Sequence, residues 1–469
     1  MKTSDPAKDT ATALAEEGDT SHLGHGLKVR HLTMMGLGSA IGAGLFLGTG
    51  VGIAKAGPAV LISYIIAGII VVFVMRMLGE MGAAIPASGS FSHYARIGIG
   101  EWAGFTMGWL YWFMLIMVLG AEITGASAIV HGWLPGVPQW VVALVFVTFF
   151  AVVNLAKVSN FGEFEFWFAA IKVAVIIAFL VIGVLLVFGL LPDTDPVGFT
   201  NLFGQGGFMP NGFAGIAAGL LVVAFAFGGI EIVTIAAAES KDPEHSIATA
   251  VRSVVWRISV FYIGSIAIMV LVLPWNSPQL QSGPFVAVLN QAHISYVAGF
   301  MELVVVVALL SAFNANVYGT SRMAYSLARR GDGPALLGGL SKTGVPTNAV
   351  LLSVFFGFVS VLLNWLLPDS LLSILLNAVG AALLVIWIFI VVSQLRLRPR
   401  LEAEGKLSLR MWGFPYLSWF TLAALGGLIL LMLTDADARN QLISTAVLFA
   451  VIAGLSVLNA RRRRAAAEA

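Results

Sequence analysis

The stretch Gly36-Leu-Gly-Ser-Ala-Ile-Gly-Ala-Gly-Leu-Phe-Leu-Gly48 holds five glycines in thirteen residues, inside an apolar run that covers about 32–54. Glycine weakens a helix interior by about 1 kcal/mol relative to alanine, so a continuous helix tolerates this density poorly. Five apolar segments later, Phe225-Ala-Phe-Gly-Gly-Ile-Glu231 again sets a glycine pair in mid-segment, now beside a carboxylate. Interruptions in the first and sixth spans are what an inverted repeat of five plus five helices places at its centre. At such breaks, half-helix N-termini turn free N–H groups toward an anion, and unwound carbonyls face a cation. A zwitterion carrying a carboxylate and an ammonium fits both. The competing reading is close packing through Gly44-x-x-x-Gly48 and Gly48-x-x-x-Gly52, and a second glycine-rich span in the matching position weighs against it. The stretch is not a dinucleotide fingerprint, because Ile41 stands where the third glycine belongs and no strand precedes it. The chain contains no Gly-x-x-x-x-Gly-Lys-[Ser/Thr] motif, so ATP is not the expected energy source.

The composition around these stretches agrees. Of 469 residues, 26 are Lys or Arg and 24 are Asp or Glu, while 59% are hydrophobic and mean hydropathy is +0.93. A charged fraction of 11% is under half the roughly 25% of soluble proteins. Most of the chain must face lipid or lie buried within it. That excludes a soluble enzyme, a nucleic-acid binder and a disordered scaffold. Cysteine is absent, which removes disulfides, thiolate nucleophiles and Cys-ligated metals.

Twelve apolar segments of spanning length follow a polar tail: about 32–54, 58–82, 101–130, 138–156, 163–191, 212–238, 254–273, 296–327, 347–366, 369–393, 414–434 and 440–459. Their length and the need to satisfy backbone groups in lipid predict helices, and the alternating ten-residue segments of a β-barrel do not occur. The expected organisation is a disordered cytosolic tail over 1–26, a twelve-helix domain over 27–459 and a basic cytosolic tail over 460–469. Within the domain, one repeat covers about 32–191, the second about 212–393, and two further helices about 414–459. Alternate loops, tails and helix ends on one side collect 23 of the 26 basic residues; Lys55 and Arg439 fall on the other, and Lys172 lies inside a span. The positive-inside rule then sets both termini in the cytosol.

Several stretches resemble the amino acid transporter branch of the amino acid–polyamine–organocation superfamily, from Lys28 to about Leu458. They include Arg30-His-Leu-Thr-Met, Ile41-Gly-Ala-Gly-Leu-Phe, Met75-Arg-Met-Leu-Gly-Glu-Met81, Ser88-Gly-Ser-Phe-Ser92, Gly162-Glu-Phe-Glu-Phe-Trp-Phe168 and Ser321-Arg-Met-Ala-Tyr-Ser-Leu327. Within that branch the chain looks most like the bacterial 4-aminobutyrate (GABA) permeases, through Gly207-Phe-Met-Pro-Asn-Gly-Phe213, Glu231-Ile-Val-Thr-Ile-Ala-Ala-Ala-Glu-Ser240, Ser253-Val-Val-Trp-Arg-Ile258, Val392-Ser-Gln-Leu-Arg-Leu-Arg398 and Leu409-Arg-Met-Trp412. Gly228-Gly229-Ile230 is closer to the aromatic and general amino acid permeases. The resemblance implies an all-α integral membrane protein of LeuT type, with broken helices 1 and 6 and two extra C-terminal helices. It implies proton-driven import of GABA or a similar amino acid across the plasma membrane, with aromatic amino acids, proline or other neutral ones as the alternative. It also implies that N–H groups near Ile41, Gly42, Ala43 and Gly44 hold the substrate carboxylate. Carbonyls over Phe225, Ala226, Phe227 and Gly228 would take the ammonium, with the aromatic rings there as a gate.

Four ionisable residues lie well inside spans: Glu122, Lys172, Glu231 and Glu302. Each costs about 2.5–3.5 kcal/mol on insertion scales, so each needs a partner, a water-filled cavity or a change of protonation. Glu231 directly follows the sixth-span break, where it can exchange a proton near neutral pH or brace the broken helix. Lys172 stands alone in an apolar run; it can alternate between charged and neutral forms, or snorkel to the membrane edge. The resemblance adds that proton-coupled relatives carry a lysine on span five where sodium-coupled cousins hold a cation. Glu122 shares a face with Tyr111, Leu115 and Val118 and is expected to face the bundle, where it contacts the substrate amine or the proton, or braces the bundle. Glu302 lies nearer the outer end of its span, where packing or water contact is expected.

Ser311, Asn314 and Tyr318 form one polar stripe on span eight, which lines the pathway or bonds between helices. Arg76 and Glu80 are spaced as a structural i, i+4 pair. Asp242-Pro243-Glu244 reads as the start of a short helix ahead of span seven. The seven histidines show no metal-ligand spacing, and no nucleophile–base pair is apparent. The expected partners are an amino acid, a proton and the lipid bilayer, with no cofactor and the proton gradient as energy source.

Overall fold

The computed structural model describes residues 41–468 except 88–89, 156–157, 232–233, 235–241, 294–295, 369 and 435. The expected 1–26 tail and the first half of the first span lie outside the described residues. So do Lys157 and Lys241 of the loop census and, apart from Glu231 and Thr234, the family stretch over 231–240 with the end of the sixth span.

Helices account for the architecture, and no strand occurs among the described residues. In chain order the helices used below are α1 (Ala43–Phe46), α2 (Gly48–Ala56), α3 (Val60–Ala84), α4 (Ser90–Gly98), α5 (Glu101–Trp133), α6 (Gln139–Leu155) and α7 (Val158–Val187). They continue as α8 (Gly212–Ala226), α9 (Pro243–Val272), α10 (Val297–Arg329), α11 (Thr347–Leu366), α12 (Leu371–Ala403), α13 (Tyr416–Met432) and α14 (Ala436–Glu468). Described helix overlies each of the twelve predicted segments. Among the described residues, eight helical runs are long and apolar enough to cross a membrane, the first of them Ala43–Ala84, which joins α1 to α3. The apolar helices α6, α8 and α13 are shorter.

Burial sorts these helices into an inner and an outer set. The most apolar windows of α5 and α10 are each 72% buried, against 33% for α7 and 17% for α14. The two inner helices pack along each other, and α12 closes on α5 from another side. The exposed faces remain apolar: Val145, Phe149 and Val152 on α6, and Val447, Val451 and Leu455 on α14. A helix that is apolar all round suits lipid on one face and protein on the other.

Two local expectations change. Asp242 does cap a helix, accepting from the His245 N–H at 3.2 Å. That helix is no separate short element, however: it runs unbroken into the seventh span as α9, through a π-helical segment at Ile258–Gly264. Arg76 and Glu80 do not pair with each other. Glu80 is buried and takes Arg398, the Gln394 side-chain amide at 2.8 Å and the Met411 N–H, tying α3 to α12 and the loop beyond it. Arg76 instead donates to the Arg410 carbonyl at 2.9 Å and stacks over Trp412. A buried carboxylate is satisfied best by several donors at once, and only the distant segments supply them.

Candidate functional site

The two glycine-rich breaks meet at the centre of the bundle. Helix α1 begins at Ala43, with Gly42 as its N-cap residue and no side-chain cap of its own. The N–H groups of Leu45 and Phe46 both return to the Gly42 carbonyl at 3.1 Å. Helix α8 stops at Ala226, and a turn over 227–231 follows, in which Gly229 has φ +89°, a conformation open chiefly to glycine. The two chain segments touch: a Cβ on Gly44 would lie 2.6 Å from the Ala226 Cα, a backbone atom that cannot yield. Glycine at 44 is therefore a condition of the breaks' contact.

Side chains from other helices cap the freed backbone groups. The Ala43 N–H donates to both carboxylate oxygens of Glu122, each at 3.1 Å, although 79 residues separate them. A Cβ on Gly42 would stand 2.5 Å from Glu122 Oε1, so the missing side chain is what admits the carboxylate. At the other break, the Tyr262 hydroxyl of α9 donates to the Ala226 carbonyl at 3.0 Å. Phe227 is fully buried beside it, its ring centroid 4.8 Å from that of Tyr262 and 6.0 Å from that of Tyr64. Glu231 accepts the Gly229 N–H at 3.1 Å and the Trp387 indole N–H of α12 at 2.7 Å. Ile41 and Ala226 are buried and Gly228 is half-buried at the junction, while the Phe225 side chain lies outside the described set.

Lys172 is fully buried on α7, so it does not snorkel. Its ammonium interacts with the carboxylates of both Glu165 and Glu122. Glu165 escaped the sequence reading because it stands near the predicted start of its span. It precedes Lys172 by seven residues, two helical turns, and that spacing is a signal that the pair shares a face. The polar stripe of α10 turns toward this group: the Ser311 hydroxyl donates to Glu165 at 3.0 and 3.1 Å. Asn314 accepts the Asn154 amide of α6 at 2.8 Å, and Tyr318 lies under the Arg322 guanidinium. Tyr111, Leu115 and Val118 are buried on α5 with Glu122, as their shared face requires. A second residue that sequence reasoning passed over is Arg257, counted with the basic helix ends but buried inside α9.

Glu302 lies apart from this group. It accepts the Trp133 indole N–H at 2.7 Å and lines a cavity of about 480 Å³ together with Phe46, Gln279 and Asn290. Phe285, which also lines that cavity, packs on Phe46 and Phe179, at centroid distances of 4.9 and 4.6 Å. Among the described residues, no three His, Asp or Glu side chains converge as metal ligands would.

The arrangement offers a helix N-terminus, a freed carbonyl and a buried carboxylate–ammonium–carboxylate group, with no nucleophile poised against a base. Such an arrangement can hold a zwitterion. Comparison with known proteins agrees. The sequence model described as "Amino acid permease" matches residues 31–465. The aromatic amino acid transport protein AroP of Corynebacterium glutamicum is 60% identical over 439 residues, which is 92% of this chain and 95% of that protein. The gamma-aminobutyric acid permease of Bacillus subtilis is 44% identical over 94% of this chain and 95% of its own length. AroP of Escherichia coli K12 is 39% identical over 88% and 90%.

Proposed function

The chain belongs to the amino acid permease family, a multi-pass membrane protein of transporters and not of enzymes, and on that footing we propose that it imports an aromatic amino acid together with a proton. One observation supports a zwitterionic substrate above all: the Ala43 N–H end of α1 and the Ala226 carbonyl end of α8 stand side by side at the Gly44 contact. One end suits a carboxylate and the other an ammonium. The 60% likeness to AroP and the rings of Phe227, Tyr64 and Tyr262 beside Ala226 favour an aromatic side chain. GABA is the second reading, favoured by the family stretches quoted above and by the 44% relative.

In this proposal all twelve segments cross the plasma membrane with both termini cytoplasmic, and the first ten form the LeuT-type inverted repeat. Gly42, Ala43, Gly44 and Glu122 serve the carboxylate end; Phe225, Ala226, Phe227 and Gly228 serve the ammonium end. Lys172, Glu231 and Glu122 are the candidates for proton coupling, with Ser311 and Asn314 lining the pathway from α10, and the gradient replaces any cofactor. Access alternates between the two sides around the fixed breaks.

The test is uptake of labelled phenylalanine and GABA into proteoliposomes with an imposed pH gradient. Accumulation of phenylalanine that collapses with the gradient is the expected result. Preference for GABA overturns the substrate, and uptake driven by sodium with no response to pH overturns the coupling.

A further inference from the structure

The carboxylate that caps α1 belongs to the protein itself. Glu122 brings both oxygens to the Ala43 N–H, through a gap that exists only because residue 42 has no side chain. That N–H is the group the proposed function gives to the substrate carboxylate. We propose that Glu122 and the substrate carboxylate compete for this one N–H, so that the amino acid binds only when Glu122 has taken up a proton and left it. The inference rests on the proposed function and supplies its coupling step.

Charge makes the competition strict. Two carboxylates on one donor lie within about 4 Å, where like charges at an effective dielectric of 20 repel by about 4 kcal/mol. Among the described residues, the ionisable groups facing Glu122 are Lys172 from α7, with Glu165 behind it, and the Tyr262 hydroxyl from α9. From α10 the neighbour at Gly42 is Ala312, which carries no charge. Lys172 thus has one positive charge to share between two carboxylates, and the substrate carboxylate would be a third around the same ammonium, the substrate's own ammonium being taken up at the Ala226 carbonyl. A proton on Glu122 restores the balance. One carboxylate leaves the N–H and another arrives, and the positive charge of Lys172 still faces two anions, Glu165 and the substrate. The step balances: a proton from bulk water adds to the Glu122 carboxylate, its two N–H···O contacts to Ala43 are lost, and the same N–H is taken by the substrate carboxylate.

The experiment measures equilibrium binding of the labelled amino acid that the full-length protein accumulates, phenylalanine on the reading above, from pH 5.5 to 8.5. Wild type is expected to weaken toward the alkaline end, approaching tenfold per pH unit, while Glu122→Gln binds with one Kd across the range and no longer accumulates substrate on a pH gradient. A second measurement needs no variant. Phenethylamine has the ring and the ammonium but no carboxylate, so its competition against labelled substrate on wild type should not follow pH in this way. Binding to wild type that ignores pH overturns the inference, as does phenethylamine tracking phenylalanine. Glu122→Gln that keeps the wild-type pH profile does the same. A different accumulated substrate, or sodium in place of the proton gradient, strikes the proposed function and is read from uptake alone.

Discussion

Two buried carboxylates stand at the two breaks, and they are held in opposite ways. Glu231 is bound within its own turn, by the Gly229 N–H, and by the Trp387 indole, which is anchored in a fully buried ring. Its donors are neutral, one from its own turn and one from α12, so it braces the turn that ends α8 against that helix. Glu122 reaches across to another helix, takes a single backbone N–H, and faces the Lys172 ammonium. A group held by one donor and one shared charge can exchange that donor for a ligand; a group knitted into a turn cannot do so without undoing the turn. Position beside a glycine pair made Glu231 the prominent acid in the sequence. The arrangement of donors points to Glu122 as the exchangeable one.

The comparison is most exposed to Lys172→Ala. Removing one partner from a buried ionic group costs about 3–5 kcal/mol, because the carboxylates left behind are uncompensated. Gradient-driven accumulation in proteoliposomes should fall by about a hundredfold while some exchange of labelled for unlabelled substrate persists. Accumulation at the wild-type level would show that Lys172 plays no part. Gly44→Val probes the contact between the breaks. Its Cβ meets the Ala226 backbone at 2.6 Å, so a loss of about 1–3 kcal/mol in thermal stability is expected, with transport abolished.

Glu231→Gln separates the two carboxylates directly. Glutamine keeps an oxygen acceptor for only one of Trp387 and Gly229, which bond different carboxylate oxygens, so stability should drop by about 1–3 kcal/mol and uptake should slow while its pH dependence stays as in wild type. A flat pH profile in this variant would reverse the assignment. Tyr262→Phe is the mildest change. It removes the hydroxyl from the Ala226 carbonyl and keeps the ring on Phe227, for about 0.5–1.5 kcal/mol, read as a several-fold change in KM with little effect on coupling.

Much of this was legible in the chain. Apolar length located the helices, and glycine density marked where α1 begins and where α8 ends, because each depends only on residues near one another in sequence. The shared face of Tyr111, Leu115, Val118 and Glu122 followed from the 3.6-residue period and holds. Glu165 was within reach of the same period, through its two-turn spacing from Lys172, and was passed over for standing close to a span boundary. Arg76 and Glu80 mark the limit of such reasoning. Their i, i+4 spacing was correct, yet Glu80 found better donors on Gln394 and Arg398, more than three hundred residues away.

The sequence by itself determined a membrane-embedded helical chain, the glycine-rich segments at the start of α1 and the end of α8, and the few charges that lipid would not tolerate unpartnered. Only the tertiary structure decided which acid met which backbone group. Periodicity states which side chains share a face, and it carries no information on the helix that face will meet. That choice falls to packing. Here it turned on two absent side chains: Gly44 lets α1 lie against the end of α8, and Gly42 opens the Ala43 N–H to Glu122.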